Sequence, residues 1–324
     1  MRAALEAWLA RRWYGERPPG PVLRWLESLY ARESRRRREA EGTPVKLPVP
    51  VVVVGNFTVG GTGKTPLVIA LAEHFRRRGY TPGIVSRGYG RRSRAPVRVA
   101  ADTPVGDSGD EPALIFERTQ LPVQVDADRV AAANALIADG CDLLIADDGL
   151  QHRRLGRDIE IEVVDGERRH GNGHLLPAGP LREPPRPTAL RVVNGPGARG
   201  GEWPMGLLVG DARRLDGTQR QPLERFAGAR VGAVAGIGNP QRFFDALAAL
   251  GLDVQGRAFA DHHRFVAGDF AGLARPVLMT EKDAVKCRGL GIRDAWVVPA
   301  HADLPTEFFH ALDVKLEALG HVGP

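Results

Sequence analysis

The sequence predicts an α/β protein of two parallel-sheet units preceded by an amphipathic helical segment, and three observations predict it. At 324 residues the chain is long for one compact domain and suits two of roughly 150 residues each. From Pro48 onward, short apolar runs alternate with helix-length segments, the pattern of parallel strands joined by crossover helices. A glycine-rich loop then lies directly between one apolar run and an apolar-periodic helix. With 43% hydrophobic and 26% charged residues, the composition is that of a folded chain and not a disordered one. Cys141 and Cys287 stand far apart in no metal or redox spacing, so neither a disulfide nor zinc is expected and a reducing compartment fits.

The first 46 residues read differently from the rest. Leu5, Trp8, Leu9 and Trp13 fall at helical spacing, and Pro18, Pro19 and Pro21 interrupt that helix. A second amphipathic stretch carries Leu23, Leu26, Leu29 and Tyr30 before the run Arg35 to Arg38. Residues 1–46 hold eleven Arg and Lys against six Glu, so nearly all of the net charge of +6 sits here. An excess confined to one end suits an anionic surface and argues against a nucleic-acid groove across the fold. Indole and guanidinium groups from Trp8, Trp13, Trp25 and the arginines would suit a lipid headgroup layer. The competing reading is a helical pair packed on the body, with the arginines as a solvated face. No run of 18 apolar residues exists to span a bilayer, and Glu6, Arg11 and Arg12 break any signal-peptide core between Met1 and Tyr14.

Strands are expected at 49–54, 82–86, 121–125, 142–146 and 159–164, with helices near 64–78 and 127–139. After a Pro/Gly-rich passage at 177–204, strands are expected at 231–236, 254–259, 276–280 and 295–299, with a helix at 240–250. The implied organisation is a basic segment 1–46, a first domain 47–158, and a second domain 159–301. Residues 302–324 are expected to pack back on the first domain. Ligands of such folds bind at the carboxyl ends of parallel strands, and a cleft between two such domains is the expected place.

The loop Thr58-Val59-Gly60-Gly61-Thr62-Gly63-Lys64-Thr65 follows the run Val51 to Val54 and opens a helix. Glycines let backbone N–H groups turn toward a phosphate, Lys64 can reach the β- and γ-phosphates, and the Thr65 hydroxyl can hold Mg²⁺. Strand, loop, lysine and helix occur in order, so the loop reads as a P-loop that binds a nucleoside triphosphate. Thr58 stands where the first glycine is usual, and Pro66 removes one N–H from a helical turn that has them to spare. Asp147-Asp148-Gly149 ends the expected strand 142–146, where two acids can hold Mg²⁺ or its water shell. Val59 stands where membrane-partitioning ATPases need a lysine. Thr280-Glu281-Lys282-Asp283 has its lysine and aspartate adjacent, unlike a guanine clamp. A phosphotransferase is therefore the better reading. A membrane-recruited P-loop ATPase switch and a soluble carboxylate-activating enzyme are its rivals. His170 and His174 flank a poor helix and are expected in a loop, not as a metal pair.

Several further blocks stand in order along the chain. They are Ser86-Arg87-Gly88-Tyr89-Gly90, Gly109-Asp110-Glu111-Pro112, Asp147 to His152, Leu176 to Glu183, Asp261-His262-His263 and Thr280 to Asp283. Together with Gly55 to Pro66, they make the chain resemble the tetraacyldisaccharide 4'-kinase family over most of its length. The resemblance implies two α/β/α, P-loop NTPase-like domains joined by a short two-stranded linker, for which Ile159–Asp165 and Ala295–Ala300 are candidates. It implies transfer of the ATP γ-phosphate, with Mg²⁺, to an acylated glucosamine disaccharide 1-phosphate at the cytoplasmic face of the inner membrane. It further implies that Asp110 is the catalytic carboxylate, paired with His262. The two residues are expected on different domains, meeting as an acid–base unit only when the cleft closes, with His263 as the alternative partner. By the same resemblance, Arg182 and Glu183 would lie near the phosphates and metal, and Lys282 near the cleft.

Overall fold

The computed structural model describes residues 2–320, with side chains from residue 8 onward, so the expected apolar position Leu5 falls outside the described side chains. The chain forms two compact units, one of residues 1–87, 121–206 and 304–324 and the other of residues 88–120 and 207–303. The boundary expected at 158/159 is therefore not where the chain divides. Ile159–Asp165 is an interior strand of the first unit and pairs in parallel with Val51–Gly55, whereas Ala295–Val298 pairs with Val277–Thr280 in the second unit. These two segments do not form a linker. The displaced piece is 88–120, whose helix Asp110–Thr119 packs against the helix Glu281–Cys287 of the second unit.

In the first unit the strand order is 203–209, 190–194, 159–165, 51–55, 143–147, 82–86, 123–125. The pairings between these strands are parallel. Val51 to Val54 are each at most 1% exposed. A β-branched run buried on both faces is what a central parallel strand demands, and burying each such side chain contributes roughly 1.5–3 kcal/mol. The helix Lys64–Arg77 packs against this sheet through Leu67, Val68, Leu71 and Phe75. Register pairs Val54 with Asp147, so the segments after both strands leave the sheet at one edge. The passage 177–204, expected to be irregular, contains the strand Leu190–Asn194 and the start of Trp203–Val209. The C-terminal helix Thr306–Ala318 belongs to this unit, where Asp313 lies 2.8 Å from His74 Nε2.

The helices Arg2–Trp13 and Pro21–Ala40 lie against the segment 170–183 of the same unit. Trp13 Nε1 donates to the Pro177 carbonyl at 2.9 Å, Tyr30 Oη donates to the Arg182 carbonyl at 2.9 Å, and Glu27 accepts the Leu175 N–H at 2.8 Å. His174 meets Glu27 and His170 meets Glu162, so the two histidines have separate carboxylate partners outside any helix or strand. The outward face keeps Val22 at 68% exposed and Trp25 at 61%, with Leu26 and Leu29 beside them. Packing of one face and exposure of an apolar stripe on the other thus coexist. Among the described residues no helix is long and apolar enough to cross a membrane.

The second unit has the order 220–221, 212–214, 295–298, 277–280, 230–235, 253–258, with the last four strands parallel. Apolar clusters cover both faces, one around Phe226, Phe244 and Trp296 and the other around Phe265, Phe270 and Met279. Both cysteines are buried, and burial pushes the Cys287 thiol up to about 12. Asp283 is fully buried at the start of its helix. Its Oδ2 accepts the Gly236 N–H at 2.9 Å and the Thr280 hydroxyl at 2.7 Å, and Lys286 Nζ lies 2.8 Å from its Oδ1. Asp283→Ala leaves a buried N–H and a buried ammonium short of a partner. It is expected to destabilise the chain by about 3–5 kcal/mol in urea unfolding, and Asp283→Asn, which keeps an acceptor, by less.

Candidate active site

The phosphate loop is shaped by what lies beside it. Val59 N donates to the Pro180 carbonyl at 2.8 Å and Arg182 N to the Phe57 carbonyl at 2.7 Å, so the segment 180–182 runs alongside the loop entrance. Gly60 and Gly63 have φ of 107° and 90°, a region that favours glycine. A Cβ on Gly63 would come within 2.4 Å of Asn194 Nδ2, the atom that donates to the Thr62 carbonyl. Gly60 and Gly61 are exposed and Thr58, Thr62 and Lys64 buried, so the loop turns its backbone outward and its anchoring side chains inward. Thr65 sits on the first helical turn, half-buried.

Lys64 Nζ donates to Asn56 Oδ1 at 3.1 Å and lies 3.5 Å from Asp148 Oδ1. Arg182 Nη1 donates to Asp148 Oδ2 at 2.7 Å, so the two cations expected at the phosphates meet on one carboxylate. Burial opposes ionisation of Asp148, but Lys64 and Arg182 outweigh it and hold its carboxyl well below the usual range. Asp148 takes φ 51°, a left-handed conformation that costs of order 1–3 kcal/mol outside glycine. Asp147 ends its strand, 1% exposed, and Ser86 Oγ donates to its Oδ2 at 3.4 Å. Glu183 lies one link further out. Gln151 donates to its Oε1 at 3.2 Å and Arg153 to its Oε2 at 3.0 Å, while Gln151 Oε1 accepts from Arg182.

The residues fit a nucleotide with its metal. Asp148 Oδ1 and Thr62 Oγ1 are buried without a hydrogen-bond partner, and no group of three or more His, Cys, Asp or Glu among the described residues forms a metal cage. A Mg²⁺ held chiefly by phosphate oxygens needs only one or two carboxylates from the protein. Arg129, which sequence reasoning passed over, and His152, which stands in the block Asp147 to His152 without an assigned role, complete this surround. Burial and the Arg87 charge lower the Arg129 guanidinium to about 10, and burial and Arg129 push His152 down to about 4, so this imidazole stays neutral and accepts the Arg129 N–H at 3.3 Å. Asn56, within the segment Gly55 to Pro66, and Asn194, at a strand end, were equally unassigned. A strand terminus in asparagine beside the loop's own strand order is the one signal that could have found Asn194.

Asp110 and His262 both lie in the second unit, which corrects the expectation that they belong to different domains and meet only when a cleft closes. His262 Nδ1 lies 3.1 and 3.0 Å from the two Asp110 oxygens. His263 faces away, with Nε2 2.9 Å from Asp269 and its ring stacked on Phe259, so His262 is the partner. Gly109, with φ 93°, lets Gly88 and Tyr89 approach the start of the helix that carries Asp110; its Cβ would stand 3.1 Å from Gly88 Cα. The Tyr89 ring, in turn, lies 5.0 Å from the His262 ring. Burial opposes the charge on both members. For Asp110 the His262 bond and the Lys282 and Lys286 charges prevail and lower its carboxyl, and for His262 the Asp110 bond prevails and raises its imidazole. The pair lines a cavity of about 670 Å³ together with Arg92, Phe116, Arg264 and Phe265.

A parallel sheet that delivers a glycine loop, a buried lysine and two acids to one edge is the frame of a P-loop phosphotransferase. Residues 20–317 match the family described as tetraacyldisaccharide-1-P 4'-kinase, and the chain belongs to that family. It is 51% identical over 325 residues to the tetraacyldisaccharide 4'-kinase of Stenotrophomonas maltophilia, covering 95% of this chain and 96% of the relative. The protein of that name from Xylella fastidiosa strain M12 is 50% identical over 326 residues, with the same coverage. A crystal structure of LpxK from Aquifex aeolicus in complex with ATP superposes with a TM-score of 0.70 at 26% identity, over 90% of this chain and 97% of that one. Lys64→Ala is expected to lower phosphoryl-transfer turnover by about 10²–10³-fold with an unchanged circular dichroism spectrum, because the ammonium stabilises transferring charge and contributes little to the core. Near-normal turnover by the folded variant would remove the loop from the reaction.

Proposed function

We propose that this chain transfers the γ-phosphate of ATP to the 4'-hydroxyl of tetraacyldisaccharide 1-phosphate. The observation that carries this reading over a nucleotide switch is the Asp110–His262 pair beside a cavity with both cationic and aromatic walls. A switch needs no proton acceptor for an alcohol, and a kinase does. In the proposed reaction the hydroxyl proton passes to the Asp110 carboxylate as the new O–P bond forms and the bond to the ADP oxygen breaks. The contacts that lower Asp110 also make it a weak base, which suffices when the proton moves late, after the hydroxyl has begun to bond to phosphorus. His262 orients the carboxylate through Nδ1. Lys64, Arg182 and the backbone of residues 58–65 would hold the phosphates, while Thr65, Asp147 and Asp148, buttressed by Glu183 through Gln151, would hold Mg²⁺. When bound, Mg²⁺ would neutralise charge on the β- and γ-oxygens.

The exposed stripe Val22, Trp25, Leu26 and Leu29, flanked by arginines, supports peripheral contact with the anionic cytoplasmic face of the inner membrane, where a tetraacylated acceptor would reside. Changing Val22, Trp25 and Leu29 together to serine leaves Trp13, Glu27 and Tyr30 to hold the helices. It is expected to weaken co-sedimentation with phosphatidylglycerol vesicles and to raise the apparent KM for lipid about tenfold without changing that for ATP. Equal vesicle binding would assign the stripe another purpose.

The acid–base reading has a pH signature. His262 is raised in the fold, so its bond to Asp110 contributes stability that is complete below the unfolded imidazole value of about 6.5 and is lost as pH rises through the folded value. Asp110 is lowered, so its share is present above about 4 and is lost as pH falls. The stability gap between the native chain and His262→Gln should therefore be widest near pH 6 and narrow toward pH 9 in denaturant titrations. Asp110→Asn and His262→Gln should each cut kcat strongly, and the double variant should be scarcely slower than the slower single one. Multiplicative losses would show that the two act separately.

A further inference from the structure

The backbone at His262 takes φ 60°, so the imidazole is held in a conformation that needs support from its surroundings. That support traces to one ammonium. Asp261 Oδ1 accepts the His262 N–H at 3.0 Å and also accepts from Lys282 Nζ at 3.0 Å. The same Nζ donates to Glu111 Oε1 at 2.8 Å. Glu111 follows Asp110 in the chain and Asp261 precedes His262, so Lys282 ties the neighbour of the carboxylate to the neighbour of the imidazole. The two tied segments are about 150 residues apart in sequence but lie in one compact unit.

We propose that Lys282 is the positioning residue of the acid–base pair, a clip that fixes Asp110 and His262 in bonding register by bridging Glu111 and Asp261. The proposal rests on the reading of Asp110 and His262 as the acid–base unit. Lys282 is suited to the task because it stands on the first turn of the helix Glu281–Cys287, which packs on the helix carrying Asp110. Thr280 fixes that turn by accepting the Asp283 N–H. Its side chain is only 14% exposed, so few waters compete for its hydrogen bonds. Burial disfavours its charge, but Glu111, Asp261 and Asp110 outweigh burial and raise the ammonium well above its ordinary value, so it stays charged wherever the enzyme works. Supplying positive charge to Asp110 does not by itself need Lys282. Lys286, one turn further along the helix, already lies 3.8 Å from Asp110 Oδ2.

The two possible roles of Lys282 move His262 in opposite directions. The groups facing His262 are Asp110, its own neighbour Asp261, Lys282 and the Tyr89 ring, with Lys286 reaching it through Asp110. Through space the Lys282 charge lowers the imidazole, so losing charge alone would raise it. Losing the clip would break the Asp110 bond that raises it, and the imidazole would fall toward its ordinary value.

The experiment is a pH titration of His262 in the full chain by NMR, using ¹⁵N-histidine labelling, with His262→Gln identifying the resonance. In Lys282→Met the His262 pKa is expected to fall and kcat to drop about 10–100-fold with the KM for ATP within about twofold. Lys282→Arg, whose fork can span both carboxylates, should recover most of both. A rise in the His262 pKa in Lys282→Met, or unchanged kcat, would overturn the proposal. If Lys282→Met does not fold, Glu111→Gln weakens one arm without removing a charge that faces His262, and the same fall in His262 pKa is required of it. Full activity in Asp110→Asn would instead sink the acid–base reading, and the titration would still report whether Lys282 holds the pair together.

Discussion

The parallel register of Val51–Gly55 against Leu143–Asp147 is the constraint on which the first unit depends. Because strands in a parallel sheet all point one way, every segment that follows a strand leaves at the same edge. Pairing Val54 with Asp147 places the glycine loop and the two acids within reach of each other without any contribution from side-chain attraction. Slippage by one residue would turn Asp147 to the opposite face of the sheet and bury it among Val, Leu and Ile side chains. The buried valines make that slip costly, so packing far from the phosphates sets the geometry of the charges.

Each unit holds a cluster of interlocked charges. In the first unit two cations share Asp148, and in the second an ammonium, an imidazole and several carboxylates are interleaved around Asp110. Such clusters are expensive to desolvate and only modestly stabilising, so their value lies in orientation. The left-handed backbone at Asp148 and His262 is consistent with that view, since strain of this kind survives where neighbours over-determine a conformation.

Much of this was legible in the sequence where the signal is local. The valine run, the glycine loop and the strand ending in Asp147-Asp148 announce themselves by spacing, and those elements stand within a residue or two of where they were expected. Leu190–Asn194 was not legible, because an arginine interrupts a short apolar run inside a Pro/Gly-rich passage. The helix Asp110–Thr119 has ten residues with a proline in its first turn, too short for periodicity to speak. Asp110 and His262 could be paired only by family resemblance, as 152 positions separate them and nothing local in either segment points to the other. The assignment of 88–120 to the second unit failed for the same reason: it is set by helix packing at long range, and a linear reading gives the segment to the strand it follows.

The division of the chain has a consequence for how this protein could have diverged and how it can be rebuilt. Its backbone passes from one unit to the other near residues 87, 120, 206 and 303, so neither unit is a contiguous stretch of gene. A single recombination event between residues 88 and 303 would combine fragments of both units from different parents. Exchange of the intact second unit between relatives requires two insertions made together, one short and one long. Variation in this molecule is therefore expected to accumulate by substitution within both units in step, and chimaeras that respect all four crossings are the ones that should fold.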